Sequence, residues 1–432
     1  MSGPWQTAPR PFNGLPRARS RWVAPRHPQL PVDSPWIAFG QGRSYGDVCV
    51  NDGGTLLGTA GLDRFLAFDA QAGLLRVEAG VTLDAVLALI VPQGWFLPVT
   101  SGTRFISMGG AVANDVHGKN HHRAGSLGGH VTALGLLRSD HGFVECGPAR
   151  HADLFAATVG GLGLTGLICW VELRLRRIAS PMVEEERQRF ESLDQFHALS
   201  AESDADPAWE YSVAWVDCDA PRGRGVFHRG RHAPAGTPVQ LAPKAQRVPL
   251  TPPFSLINGL TRRLFNPLHF YGAPAIAQRR VLHYEPFFYP LDALRDWNRL
   301  YGPRGFYQHQ SVVPLSAREA VAELLQAIRA SGQGSALAVL KTFGPQRSPG
   351  LLSFPRPGIT LAVDFPNHGG DTLALLERLD AIVCAAGGAI YPAKDARMSA
   401  ETFRAGFPQW AAFSAQLDPA CSSSFWRRVT AP

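Results

Sequence analysis

The densest cluster of chemically capable side chains is Asp115-Val-His-Gly-Lys-Asn-His-His122. Three imidazoles beside an ammonium suit either metal ligation or proton handling next to an anion. Gly118 and Asn120 oppose the helix that would aim His117 and His121 at one ion, which disfavours metal. His117 titrates near neutral pH and is a candidate proton acceptor. Lys119 is a compact charge suited to phosphate. The bland alternative is that these side chains only hydrogen-bond a strained loop. A second cluster lies late, in Tyr391-Pro-Ala-Lys394-Asp395, with Lys341 and Gln310 on preceding strands. Lysine next to aspartate also describes an ordinary surface pair.

A third stretch binds rather than reacts. In Ile37-Ala-Phe-Gly-Gln-Gly-Arg-Ser-Tyr-Gly-Asp47, Gly40, Gly42 and Gly46 follow a short apolar strand. They let successive backbone N–H groups turn inward around an anionic diphosphate, and Arg43 adds a fixed charge. A dinucleotide-binding fingerprint of the Rossmann type would continue as an apolar helix. Here Asp47 to Gly54 stays polar and glycine-rich, and a strand, Thr55 to Leu57, follows. A structural turn remains the alternative. The small-residue run from Ser107 to Asp115 allows backbone to approach a flat ligand, or two elements to pack closely.

Positioning these groups requires a glycine-punctuated unit up to about residue 180. Its expected strands are 74–78, 131–138, 143–145 and 166–175, and its helices are 83–91, capped by Thr82, and 153–159. Beyond it the pattern predicts a helix at 192–200, a strand at 209–216, a helix at 291–300 and a strand at 307–313. A helix at 317–330, strands at 336–340 and 359–365 and a helix at 372–386 follow. In the last helix Leu373, Leu376, Leu379, Ile382 and Val383 mark one buried face. Strands alternating with amphipathic helices argue for an α+β fold with a mixed sheet covered on one side. The passage 221–274 reads as a long irregular loop, either a mobile cover over a site or a disordered loop with no role.

At 432 residues, 45% hydrophobic and 18% charged, the chain is large enough for two or three domains. Its formal charge of +7 points to an anionic partner. The Arg- and Pro-rich segment 10–26 is too short and broken to make nucleic acid that partner. Six cysteines without a C-x-x-C pair indicate buried thiols of a reducing compartment, with no zinc site. The most apolar run, Val81 to Val99, is interrupted by Asp84, Pro92 and Gln93, and no apolar stretch follows the basic N-terminus. The expected location is cytoplasmic or peripheral to a membrane.

Taken together, Gly42-Arg-Ser-Tyr-Gly46, Gly102-Thr-Arg104, Asp115 to His122, Ala157-Thr-Val-Gly-Gly-Leu-Gly-Leu-Thr-Gly166, Pro290-Leu-Asp292, Leu340-Lys-Thr-Phe-Gly344, Val363-Asp-Phe-Pro366 and Ala393-Lys-Asp395 resemble the vanillyl-alcohol-oxidase type of FAD oxidoreductase. Within that type they are most similar to the FAD-containing oxidase subunits of decaprenylphosphoryl-β-D-ribose 2′-epimerases. The resemblance implies a two-domain fold. An FAD-binding domain (1–180, completed by 389–432) would flank a substrate domain (181–388) with a mixed or antiparallel sheet. The cofactor would be held by Phe39, Gly40, Gln41, Gly42, Arg43, Ser44, Tyr45, Gly46, Asp47, Gly102, Ser107, Met108, Gly109, Gly110, Asn114, His117, Ile168 and Tyr391. His117, Lys119 and Lys394 would be catalytic, and Gln310, Lys341 and Tyr45 would bind substrate.

Many relatives bond a first-loop histidine covalently to the flavin. That position is Tyr45 here, which implies non-covalent FAD. The cysteine attacked by covalent nitro-aromatic inhibitors appears as Ala362. The implied reaction oxidises the ribose 2′-hydroxyl of a polyprenyl-phosphoryl sugar to a ketone, and an NADH- or NADPH-dependent reductase would complete epimerisation to the arabinose form. The rivals are an oxidase of free sugars, alditols or aldonolactones, and a non-catalytic basic module that binds nucleic acid or lipid phosphate.

Overall fold

The computed structural model describes residues 5–7, 11–16, 18–31 and 34–431; Arg10 and Arg17 of the basic N-terminal segment lie outside them. Three sheets organise the described chain. Strands Trp5–Thr7, Arg19–Val23, Thr55–Gly58 and Trp36–Phe39 form a small one in that order, with Trp36–Phe39 parallel to Thr55–Gly58. A five-stranded antiparallel sheet runs Phe65–Asp69, Leu74–Glu78, Leu167–Arg174, Val131–Arg138, Gly142–Cys146. The third has eight strands, in the order Gln278–His283, Met182–Phe190, Gly225–His232, Tyr211–Val216, Ala338–Phe343, Gly358–Pro366, Phe306–Val313 and Ala389–Ile390.

The large sheet is antiparallel throughout, not mixed. Helices Leu193–Ala205, Glu319–Ser331 and Gly370–Ala385 each carry the chain past one strand to a strand of the same direction, and the strand inserted between makes every neighbouring pair antiparallel. One face is covered by helices Glu319–Ser331 and Gly370–Ala385, whose buried residues Val321, Leu324, Leu376 and Leu379 join Leu340 and Val363 in one core. Leu373 and Ile382 sit half-buried at the margin of that contact, while Thr372, Leu375 and Asp380 complete it. The opposite face is free to carry a site.

Two expectations fail. The passage 221–274 is not one irregular loop. It contains strand Gly225–His232, paired on both sides, and helix Gly259–Tyr271, which starts in a capping box between Asn258 and Thr261. Pro and Gly cluster in the connections and hide both elements from a periodicity reading. The expected helix at 291–300 breaks into 3₁₀ turns Pro290–Ala293 and Trp297–Tyr301, because Asp296 turns the backbone left-handed at φ 57°.

The C-terminal segment closes back on the beginning of the chain. Trp36 N–H donates to Ala420 O at 2.9 Å, and Ser422 N–H returns to Trp36 O at 2.9 Å. Arg428 bridges Asp47 at 2.7 Å and Asp395 at 3.0 Å. All six cysteines are free. Among the described residues no helix is long and apolar enough to cross a membrane.

Candidate active site

A cavity of about 870 Å³ lies between the uncovered face of the large sheet and the glycine loop. Side chains alternate across a strand, so i and i+2 share a face. Gln308 and Gln310 on one strand, Ala362 and Asp364 on the next, and Val339 and Lys341 on the third therefore all reach the cavity. The pairings Gln310 to Ala362, Gln308 to Asp364 and Val339 to Ala362 place these residues side by side.

The opposite wall is backbone-rich. Gly40, Gln41, Gly42, Arg43, Ser44 and Tyr45 line it, with Gly102, Ser107, Gly109, Gly110, Asn114 and Ile168. Gly42 needs its positive φ of 62° to turn the loop. A Cβ at Gly40 would come within 2.3 Å of Ser107 Oγ, so the loop approaches the next element as only glycine permits. The small-residue run forms a short helix, Met108–Ala113, capped by Ser107 Oγ. Phe39, Gly46, Asp47 and Met108 do not reach the cavity. Phe39 packs on Trp22, Gly46 abuts the Asp395 carbonyl, Asp47 pairs with Arg428 and Met108 is fully buried in the core. These four support the wall instead of forming it.

His117 alone of the three histidines faces the cavity. Its Nε2 lies 3.0 Å from Gln310 Nε2, which leaves Nδ1 as the ring atom with no protein partner. Burial, then the charges of Lys341, His121 and Lys394, pushes its pKa well below 6.5, so the ring is neutral at neutral pH. His121 and His122 are buried outside the cavity and held near 4, mainly by burial. Among the described residues no group of three or more His, Cys, Asp or Glu side chains is placed to hold a metal ion.

Three part-buried lysines converge on this space. Burial brings Lys341 down to about 7, helped by the charges of Lys119 and Lys394. It brings Lys119 and Lys394 to about 8. Lys394 lies 3.6 Å from the centre of the Tyr45 ring, and its sequence neighbour Asp395 turns away to Arg428. Lys119 donates to Phe287 O and sits 4.4 Å above the Phe287 ring. The nearby buried carboxylate is Asp364, pushed up to about 7 by burial and hydrogen-bonded to Gln308. Tyr391 also lines the cavity, where its hydroxyl donates to Asn114 O at 2.9 Å. Arg43 stacks 4.8 Å from Phe12.

Such a set is undercompensated. Arg43 Nε, Asn114 Oδ1 and His117 Nδ1 are buried with no protein partner. Buried polar atoms are normally satisfied, so these fit an occupant that is polar and anionic. A glycine cradle against a wall of lysines matches a dinucleotide phosphate at one end and a second anion at the other.

Comparison with known proteins agrees. A family described as an FAD binding domain matches residues 32–147. The decaprenylphosphoryl-β-D-ribose oxidase of Mycolicibacterium smegmatis is 38% identical over 405 residues, covering 89% of this chain and 86% of its own. The chain belongs to that family of FAD-dependent oxidoreductases. An uncharacterised Streptomyces coelicolor protein is 35% identical, covering 76% of this chain and 92% of its own. Mouse L-gulonolactone oxidase is 29% identical over 31% of this chain and 30% of its own. Membership in an enzyme family removes the non-catalytic alternative.

Several functional positions escaped a reading by residue type. Asp364 and Gln308 belong to strands whose other face is core, and only the register shows that they sit beside Lys394 and Tyr45. Asp292 accepts from Arg104 N–H at 2.9 Å and lines the same cavity. Glu185, His228 and Arg280 line it too. Burial would push the Glu185 carboxyl up, yet His228 at 2.7 Å and the Arg280 guanidinium outweigh it and hold it down near 2. The Pro-Leu-Asp and Val-Asp-Phe-Pro strings were visible signals for Asp292 and Asp364.

Proposed function

We propose that this enzyme oxidises the 2′-hydroxyl of a polyprenyl-phosphoryl-β-D-ribose to the 2′-ketone, with FAD held without a covalent bond. The carrying observation is the convergence of Lys119, Lys341 and Lys394 on one cavity whose basic lining, with Arg43, Arg247, Arg280 and Arg295, outnumbers the acidic Glu185, Asp292, Asp296 and Asp364. A free sugar or aldonolactone offers no charge to offset them, whereas FAD and a phosphoryl substrate offer several.

In this reading residues 1–180 and 389–432 form the FAD-binding domain, and 181–388 form the substrate domain. Backbone of residues 40–45 with Arg43 would hold the diphosphate, and Ser107, Gly109, Gly110 and Asn114 would flank the flavin. Bound FAD supplies the two-electron acceptor that an alcohol oxidation requires. Tyr45 has no imidazole to bond the flavin, and its ring is already held by Phe12, Phe306 and Lys394.

The chain's own groups divide the remaining work. As placed, the Gln310 amide nitrogen donates to His117 Nε2, which fixes the ring and puts its proton on Nδ1; with the amide turned so that its oxygen accepts from Nε2–H, Nδ1 would be bare to accept the hydroxyl proton. Lys341 and Gln310 orient the sugar from the two strands that flank Gly358–Pro366. Lys394 stabilises negative charge as it develops beside Tyr45, and Lys119 offsets the substrate phosphate. A ketone at this position is half of an epimerisation, so an NAD(P)H-dependent short-chain reductase is the expected partner.

The test is an anaerobic visible spectrum of the purified yellow protein. Bleaching by a prenyl-phosphoryl ribose, with none by free ribose, an alditol or an aldonolactone, is the expected result. Bleaching by the free sugar instead would overturn the proposal.

A further inference from the structure

Helix Gly259–Tyr271 has two faces of opposite character. Arg262, Asn266 and Phe270 point inward. Arg262 Nε reaches Asp219 at 3.1 Å and its Nη2 donates to Gly332 O at 3.0 Å, while Asn266 Nδ2 donates to Asp217 at 2.8 Å. These bonds fix the rotation of the helix about its axis. The other side presents Leu260, Leu264, Leu268 and Tyr271, which are 70%, 61%, 74% and 65% exposed. At 100° per residue those four fall within one narrow stripe. A stripe of this kind is not a folding device, because the helix is anchored by its polar side.

The charge around it is one-sided. Residues 221–274 contain eight Lys or Arg and no Asp or Glu. Five of the eight pair with acids elsewhere in the chain: Arg224, Arg229, Arg231, Arg247 and Arg262. Arg263 and Lys244 are exposed, make no ion pair among the described residues, and Arg263 borders the leucine stripe. The neighbouring Phe265 and His269, stacked at 5.5 Å between ring centres, line the active-site cavity. The apolar stripe therefore lies beside an opening of that cavity.

We propose that this helix docks on a bilayer containing anionic lipid, with Leu260, Leu264, Leu268 and Tyr271 inserted at the headgroup boundary and Arg263 against lipid phosphates. An amphipathic helix with a basic margin is the form that lies in a membrane interface. The choice of a membrane over another apolar, anionic partner rests on the lipid-linked substrate proposed above. Docking at this helix would bring the cavity mouth to the plane where such a substrate resides.

The experiment compares the FAD-loaded enzyme with Leu264→Gln/Leu268→Gln and Arg263→Glu by co-sedimentation with two kinds of vesicle. One is phosphatidylcholine with phosphatidylglycerol, the other phosphatidylcholine alone. The double variant should lose about tenfold or more of its vesicle partition, since each leucine forfeits its apolar transfer. Arg263→Glu should weaken binding to the anionic vesicles only, and added salt should mimic it. Both variants alter exposed positions, so their thermal melts should match the parent. Turnover of a water-soluble, short-prenyl phosphoryl ribose should also be unchanged. Partition unaffected by the leucine changes, or a parent that binds neither vesicle, overturns the proposal. A parent dimer that the double variant splits, with vesicle binding unaltered, would assign the stripe to a second copy of the chain. Loss of partition in the double variant from a parent that does not turn over the short analogue would keep the docking surface and reject the substrate.

Discussion

Filling the cavity with anions should draw protons from solvent. Burial holds Lys341 near 7 and Lys119 and Lys394 near 8. At pH 8 the first is then about nine-tenths neutral and the other two about half neutral. Bound phosphates favour the ammonium form and return each pKa toward its ordinary value, so loading the apoprotein with FAD and then with a phosphoryl-ribose ligand takes up about two protons in total at pH 8. At pH 6 all three lysines already carry their protons, and uptake should be close to zero. The sign follows from linkage. A ligand that binds with proton uptake loses affinity as pH rises through the free-state pKa, so binding weakens above about pH 7 and steepens beyond 8. The burial of Asp364 near 7 acts in the same direction, because added anions raise it further. Isothermal titration calorimetry in two buffers of different ionisation enthalpy measures the uptake directly. Lys341→Met should lower it by about one proton at pH 8, the share of the most depressed of the three. Uptake below about half a proton at pH 8, or none lost in the variant, would refute an undercompensated lysine cluster.

The remaining predictions concern single groups. Lys394→Ala should lower turnover by about 100-fold or more while the protein stays yellow, as expected for loss of a charge aimed at the reacting atoms, and unimpaired turnover would remove it from the mechanism. His117→Ala should cost about 10²–10⁴-fold in kcat. Because the parent ring is neutral at neutral pH, the acid limb of its kcat/KM profile should fall well below pH 6.5, lost only as pH drops through the lowered pKa. Gly46→Ala should destabilise the fold by about 1–3 kcal/mol or more and weaken FAD retention, read by denaturant titration and flavin release, because the new Cβ would meet the Asp395 carbonyl oxygen at 1.5 Å. Acid precipitation should leave the yellow chromophore in the supernatant; colour in the pellet would mean a covalent bond. Covalent nitro-aromatic inhibitors should fail, with Ala362→Cys restoring labelling in mass spectra, because Ala362 lines the cavity.

Much of this architecture was legible because local signals agree with tertiary demand. Thr82 caps the helix it precedes, the strand expected at 131–138 forms with those bounds, and Gly387 follows the last long helix with φ 68°. His117, Lys341 and Lys394 stood out by residue type together with the strings they share with the family, since residue type alone left a strained loop and an ordinary surface pair open. Asp364 did not, since a carboxylate in an apolar strand acquires meaning only from its cross-strand neighbours. Helix Gly259–Tyr271 was hidden for a different reason: its apolar stripe faces outward, and Pro267 interrupts the pattern that would have announced it. The turn at Asp296 broke an expected helix that its leucine spacing favoured.

The clasp of Arg428 on Asp47 and Asp395 also ties the glycine loop to chain 381 residues away. The loop is therefore braced only when helix Ser424–Thr430 has docked, and fraying of that one short helix would loosen a wall of the cavity from a distance.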